Sequence, residues 1–309
     1  IMKYLVYGGN GWIGSMMCKL FNEQHIDYSI GQIRVDNDIS LEAEIDNINP
    51  THIMCFIGRT HGEYEGTNEG TIDYLEKPGK LIDNIRDNLF SPLVLALICQ
   101  RKKIHLTYLG TGCIFSQEST DIQGSHGYTE NDIPNFFGSS YSVVKGFTDR
   151  LMHQFKGSVL NLRIRMPIVN YDNPRNFITK ITKYDKICSI QNSMSYLPEL
   201  LPLALDMSKN KTTGTMNLTN PDTISHNEIL DMYKTYINPN FKWNNFSIEE
   251  QNKILLSKRS NNKLNTTKLQ TLYPKIHTIK EALKICFSHY KFLNTLNRLS
   301  CSYVASHIV

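Results

Sequence analysis

Little in this sequence offers a substitute for an ordinary hydrophobic core. Seven cysteines occur, an odd number with no Cys-x-x-Cys pair, which argues against a disulfide framework and against a zinc site. Glycine (18) and proline (11) are too sparse for a collagen-like or low-complexity chain. No apolar run approaches the roughly 20 residues that span a bilayer; the longest, Leu93 to Cys99, falls far short. The first residues pass from Lys3-Tyr4-Leu5-Val6-Tyr7 straight into glycines with no small-residue cleavage site, so no cleavable leader is expected. Charge of one sign is scarce as well. The 33 Lys+Arg and 29 Asp+Glu leave +4, too thin for a nucleic-acid partner and suited to a protein that binds a few phosphates locally. With 40% hydrophobic residues in 309, the chain is not disordered and has room for one large domain or two modest ones. These absences lead us to expect a cytoplasmic protein with reduced cysteines, no membrane association and no bound metal.

What is present is alternation. Strand-length apolar runs occur at Lys3–Tyr7, Tyr28–Ile33, His52–Ile57, Ile104–Leu109 and Val159–Ile164. Helical stretches separate them: Trp12–Glu23, Ile39–Ile48, a long one from Leu81 to Lys102, and Ser140–Phe155. Buried parallel strands read as short continuous apolar runs, and their alternation with helices implies βαβ units. The expected fold is therefore α/β, a Rossmann-like doubly wound parallel sheet in residues 1–165. A smaller, mostly helical C-terminal substrate lobe follows in 166–289, partly interleaved with the first domain, and 290–309 form a weakly patterned tail. Ser225/Glu228, Ser247/Glu250 and Thr278/Glu281 read as capping boxes that start helices in this second half.

Gly8-Gly9-Asn10-Gly11-Trp12-Ile13-Gly14 lies between the first strand and the first helix. Glycines at this spacing allow a tight turn, close backbone approach to a pyrophosphate and close helix–strand packing, and the helix N-terminus offers free N–H groups to phosphate. Gly8, Gly11, Trp12, Ile13 and Gly14 are thus the expected dinucleotide loop. The end of the second strand chooses the cofactor. Arg34 precedes Asp36 there, and an arginine pairs with a 2′-phosphate, so NADPH is favoured with NADH still possible.

Tyr141-Ser142-Val143-Val144-Lys145 puts a phenol and an ammonium one helical turn apart, on one face. A nearby cation lowers a phenol's pKa and equips it to protonate a carbonyl oxygen as hydride arrives. Thr111 supplies a hydroxyl at the end of the fourth strand. The combination resembles the extended short-chain dehydrogenase/reductase superfamily, whose members mostly act on nucleotide sugars. The resemblance makes Thr111, Tyr141 and Lys145 the reductase triad, sets Gly58, Thr60 and Met166 beside the cofactor, and gives Asn88 a supporting place by the substrate.

Further motifs narrow the match. Thr111-Gly112-Cys113-Ile114-Phe115, Arg163-Ile164-Arg165-Met166-Pro167, Asn173-Pro174-Arg175-Asn176-Phe177-Ile178-Thr179-Lys180 and Arg259-Ser260-Asn261-Asn262 resemble the nucleotide-rhamnose synthase epimerase/reductase, found alone or as the C-terminal half of plant UDP-rhamnose synthases. That family epimerises C3 and C5 of a UDP- or dTDP-linked 4-keto-6-deoxyglucose and then reduces C4. By resemblance Cys113 and Lys180 are the acid–base pair, and Arg175, Asn176 and Arg259 lie on the substrate side, the arginines as diphosphate grips. An upstream 4,6-dehydratase would supply the ketone, and a homodimer is expected. Residues 61–70 depart from the plant loop, which carries Trp-Cys-Glu. Two alternatives stand: a related enzyme such as a GDP-fucose synthase, which pairs its cysteine with histidine instead of lysine, and a non-catalytic NADP-binding regulatory protein.

Overall fold

Short apolar runs become the strands of one parallel sheet in the structure, a computed structural model that describes residues 2–117 and 121–290. In chain order these are β1 (Tyr4–Tyr7), α1 (Trp12–Glu23), β2 (Tyr28–Ile30), α2 (Asp38–Ile48), β3 (His52–Cys55), a hairpin of β4 (Gly62–Tyr64) and β5 (Thr67–Glu69), α3 (Leu81–Ile85), α4 (Ser91–Lys102), β6 (His105–Thr111), α5 (Ser140–Met152) and β7 (Val159–Ile164). Then come β8 (Pro167–Ile168), α6 (Phe177–Ile181), β9 (Lys186–Ile187), β10 (Ser195–Tyr196), α7 (Leu197–Lys209), β11 (Gly214–Asn217), α8 (His226–Tyr236), β12 (Asn244–Asn245), α9 (Ile248–Ile254) and α10 (Thr267–Leu272). Residues 279–290 are helical.

The sheet runs β11-β7-β6-β3-β1-β2 with every pair parallel. The chain moves outward from β1 to β2, then crosses back to place β3 on β1's other side. That reversal opens a crevice at the carboxyl ends of β1 and β3, where ligands bind in open α/β sheets. Met17 and Phe21 of α1 pack with Leu200, Leu201 and Leu205 of α7 on one face. Leu41 and Ile45 of α2, Leu95 and Cys99 of α4 and Met152 of α5 cover the other. Each fully buried Leu or Met adds roughly 1.5–3 kcal/mol, so the two faces clamp the strands whose ends carry the site. A third cluster, with Ile178, Ile229, Leu230, Leu283 and Phe287, forms the core of the later segment. β11 and α7 lie beyond residue 166 yet return to the main sheet.

Four local features differ from the sequence reading, each for a physical reason. β2 ends at Ile30 because Glu44 of α2 takes over as acceptor for the backbone N–H groups of Gln32 and Ile33, at 2.7 and 3.3 Å. The expected long helix from Leu81 is broken by a π turn, Arg86–Phe90, between α3 and α4. Pro92 has no N–H to give the Asn88 carbonyl, which instead accepts from Thr148 Oγ1 at 2.6 Å. The polar hairpin turns through Glu65 and Gly66, both at positive φ as a two-residue turn requires. β11, a short and partly polar strand, gave no periodic signal. All three capping boxes form. Among the described residues no helix is long and apolar enough to cross a membrane.

Candidate active site

The glycine loop leaves β1 at the crevice. Gly8 has φ +77°, and a Cβ on Gly14 would come within 2.1 Å of the Gly8 carbonyl oxygen, so only glycine lets α1 begin so close to the strand. No side chain caps α1, since its N-cap is Gly11, and the first N–H groups remain available. Trp12 Nε1 is buried without a hydrogen-bond partner. These features fit a dinucleotide pyrophosphate held by Gly8, Gly11, Gly14 and the helix N-terminus, with Trp12 and Ile13 at its start. Arg34 is exposed, and Asp36 accepts from its Nε and Nη2 at 3.1 and 3.3 Å. Arg86 lies 3.9 Å from the same carboxylate. The sequence reading missed Arg86, which comes from the π turn far along the chain.

After β3, Gly58 and Arg59 are fixed by Asn88. Its Oδ1 accepts from the Arg59 N–H at 2.9 Å, and its Nδ2 donates to the Arg59 carbonyl at 2.8 Å and to Asn84 Oδ1 at 2.9 Å. Asn88 is therefore spent on the loop that borders the crevice. Asn176 is equally occupied: its Nδ2 donates to the carbonyls of Val169 and Tyr171 and to Tyr290 Oη, and its Oδ1 caps α6. Both side chains are fully buried. Asn88 and Asn176, expected on the substrate side, thus spend their amides on the backbone of loops at the crevice. Met166, at the end of β7, holds φ +39°, a strained backbone of the kind found where a site overrides local preference.

Two groups of chemistry-bearing side chains gather here. The first comes from β6 and α5. Thr111 is buried, and its Oγ1 accepts from the Cys113 N–H at 3.1 Å. Thr111 favours the charged form of Tyr141, but burial, reinforced by Cys113, outweighs it and pushes the phenol well above its usual range. The lowering expected from Lys145 is not found: burial dominates the phenol, and the ammonium donates to Tyr108 Oη. Tyr141 is thus a firmly protonated acid. Lys145 is pushed down to about 8 by burial. Cys113, alone among the described cysteines, is not buried. The fully buried Arg165 lies beneath it and donates to the Gly112 carbonyl at 2.9 Å, to Ser260 Oγ at 3.0 Å and to Asn192 Oδ1 at 2.5 Å. Burial presses the Arg165 guanidinium down while the charge of Cys113 favours it. The motif Arg163–Pro167 marked Arg165 without saying where it packs, because its partners Gly112, Asn192 and Ser260 lie far away in the chain.

The second group is cationic. Lys180 Nζ donates to the Gly70 carbonyl at 3.2 Å, and burial together with Arg175 and Arg259 pushes its ammonium down. Arg175 contacts His61. His61 is held down to about 4 by burial and by Arg175, Arg59 and Lys180. Arg259 is paired with Asp73 at 2.6 Å, whose carboxyl stays near 2 because that arginine and Ser257 outweigh its burial. Among the described residues neither Lys180 nor Arg175 has a carboxylate within ion-pair distance. A half-buried lysine and an exposed arginine without carboxylate partners suit an anionic ligand. The departing 61–70 segment thus contributes His61 and the Gly70 carbonyl to this group.

No protein-family model matches the chain. It is 54% identical to the UDP-rhamnose synthase of Acanthamoeba polyphaga mimivirus, whose crystal structure superposes with a TM-score of 0.90 over 93% of this chain and 99% of that one. It is 43% identical over 283 residues to the bifunctional dTDP-4-dehydrorhamnose 3,5-epimerase/dTDP-4-dehydrorhamnose reductase of Arabidopsis thaliana, covering 91% of each. The chain belongs to the rhamnose-synthase family of nucleotide-sugar epimerase/reductases. A trifunctional Arabidopsis thaliana rhamnose synthase, which adds a UDP-glucose 4,6-dehydratase, is also 43% identical, over 91% of this chain and 41% of that protein. At the level of fold, the Bacillus anthracis dTDP-4-dehydrorhamnose reductase, solved with NADP, gives a TM-score of 0.75 at 17% identity, covering 93% of this chain and 98% of that one. The doubly wound sheet is common to this family member and that reductase.

Proposed function

We propose that this family member converts a UDP- or dTDP-linked 4-keto-6-deoxyglucose to the corresponding L-rhamnose nucleotide, inverting C3 and C5 before reducing C4. The observation that carries the reading is that a partly exposed cysteine, Cys113, adjoins the buried Thr111 and the half-buried Tyr141 at the carboxyl edge of β6. A ketone at C4 acidifies the hydrogens on both neighbouring carbons. The Cys113 thiolate removes one such proton, and the C–H electrons move onto the carbonyl oxygen, where Thr111 and Tyr141 stabilise the enolate. The Lys180 ammonium returns a proton to the opposite face of that carbon, its acidity raised by burial and by Arg175 and Arg259. Exchange with solvent resets the thiol and the amine for the second carbon. Gly8, Gly11 and Gly14 would hold NADPH, with Arg34 for its 2′-phosphate and Gly58, Thr60 and Met166 bordering it, and the bound cofactor would supply the hydride. Tyr141 then protonates the C4 oxygen. Reduction removes the acidity, so it follows epimerisation.

Arg175 and Arg259 hold the diphosphate in this reading, with Asn88 and Asn176 fixing the loops. A separate 4,6-dehydratase supplies the ketone. The six cysteines among the described residues are all free, which suits a reduced compartment such as the cytoplasm. Phe90 and Leu97 near and on α4 and Phe147 and Leu151 on α5 expose apolar surface to water, which supports a homodimer through these helices. Lysine rather than histidine at position 180 speaks against a fucose-type enzyme, and retention of both Tyr141 and Lys145 speaks against a cofactor sensor. In deuterated water with NADPH and the 4-keto sugar, the rhamnose product should carry deuterium at C3 and C5. A product inverted at neither carbon would reduce the assignment to a simple ketoreductase.

A further inference from the structure

One buried pair beneath the site is not required by the Tyr-x-x-x-Lys pattern. Tyr108 points from the middle of β6 into the layer of α4 and α5, and its Oη accepts from Lys145 Nζ, which lies 4.6 Å from the ring centroid. Tyr108 is 1% and Lys145 4% exposed. An ammonium buried this deeply needs an acceptor. The other groups that face it do not offer one. Asp149, one turn on, is spent on Arg163 at 2.7 and 2.8 Å and on Asn161 at 2.8 Å. Cys55 lies across from Tyr108 in the β3–β6 register, and burial pushes its thiol up to about 11, so it stays neutral. Cys113 and Tyr141 belong to the candidate reaction centre.

We propose that Tyr108 is the positioning residue for Lys145, a neutral acceptor that fixes the ammonium under the cofactor crevice and keeps its charge uncompensated. A carboxylate at this place would hold the amine as firmly but cancel the positive field that Lys145 presents to the reaction centre. A phenol holds it and leaves the field intact. Burial drives the amine toward neutrality while Cys55, Asp149 and Cys113 favour its charged form, and a hydrogen bond accepted by Tyr108 Oη adds to the latter. The inference rests on reading Lys145 as the lysine of the reductase motif.

The test is a titration of Lys145 by NMR in protein isotope-labelled at lysine side chains, the signal being assigned by its loss in Lys145→Met. The wild-type midpoint is expected near 8. Tyr108→Phe keeps the packing and removes the acceptor, and should lower the midpoint by about one pH unit. The same variant should weaken NADPH binding at pH 8 by about fivefold, with little change at pH 6 where the amine is charged in both proteins. Should Tyr108→Phe fold poorly, 3-fluorotyrosine at position 108 weakens the acceptor within the native shape and should give a smaller shift of the same sign. An unchanged or raised midpoint overturns the proposal. Neither measurement uses a sugar, so an unshifted midpoint refutes the role of Tyr108 while leaving the epimerase/reductase reading intact, and failed turnover leaves a shifted midpoint standing.

Discussion

Stability should fall steeply on mild acidification, and two histidines far from the site account for a measurable share of the loss. His52 opens β3 and His105 opens β6, at the end of the sheet opposite the crevice. Their rings stand 5.6 Å apart, both are buried, and His52 Nε2 has no hydrogen-bond partner. Burial is the main cause that holds each down to about 4, with Lys211 adding to it in both and His52 adding to it in His105. A lowered histidine leaves the folded state neutral while the unfolded chain takes up a proton below about pH 6.5. Folding stability is therefore intact above that pH, declines as pH falls, and reaches its floor near pH 4. Each such histidine contributes a slope of up to about 1.4 kcal/mol per pH unit. Between pH 6.5 and 4.5 the pair is worth about 3–4 kcal/mol once the onset of titration and the mutual repulsion are allowed for. That is a large fraction of a typical folding free energy of roughly 5–15 kcal/mol. His226 and His61, also held near 4, add to the wild-type slope, so the pair's share is the difference between the wild type and a His52→Gln/His105→Leu double variant. Asp73 and Glu228, both near 2, keep their stabilising contribution throughout this window, losing it only at lower pH. Urea unfolding at half-unit pH intervals measures both curves. Parallel curves would refute the reasoning; convergence toward acid supports it, and would mean that the acid limb of activity records unfolding more than catalysis.

Other outcomes follow from the site. Tyr141→Phe should cut NADPH oxidation by about 100-fold or more while deuterium still washes into C3 and C5, and Cys113→Ala should suppress that exchange; equal loss of both readouts in both variants would count against the division of labour. Gly14→Ala forces a methyl against the Gly8 backbone, so NADPH affinity should drop at least about tenfold, at a cost of about 1–3 kcal/mol, measured by fluorescence titration. Arg175→Met should raise KM for the nucleotide sugar with kcat little changed, while Arg259→Met should also lower Tm, since it strands the buried Asp73 carboxylate that Arg259 neutralises.

The glycine loop, the Tyr-x-x-x-Lys spacing and the Cys113 and Lys180 motifs were readable because each is a local pattern: a turn only glycine can make, a helical turn that aligns two side chains, a run of residue types around one position. The strand–helix alternation settled the fold class for the same reason, since burial on both faces dictates composition within a few residues. Contacts between distant segments had no such signature. Arg165 under Cys113, Tyr108 under Lys145, Arg86 beside Asp36 and Asp73 against Arg259 each join residues far apart in the chain, and nothing local in either segment names the other. Asn88 and Asn176 carried motif signals, but that their amides bond the loops at Arg59 and Val169 was not readable, because a motif names a residue type without saying what its amide faces. Local patterns nominated the candidate groups; only the packed chain, by deciding which charges lose water and which find partners, assigned them their neighbours and electrostatic surroundings.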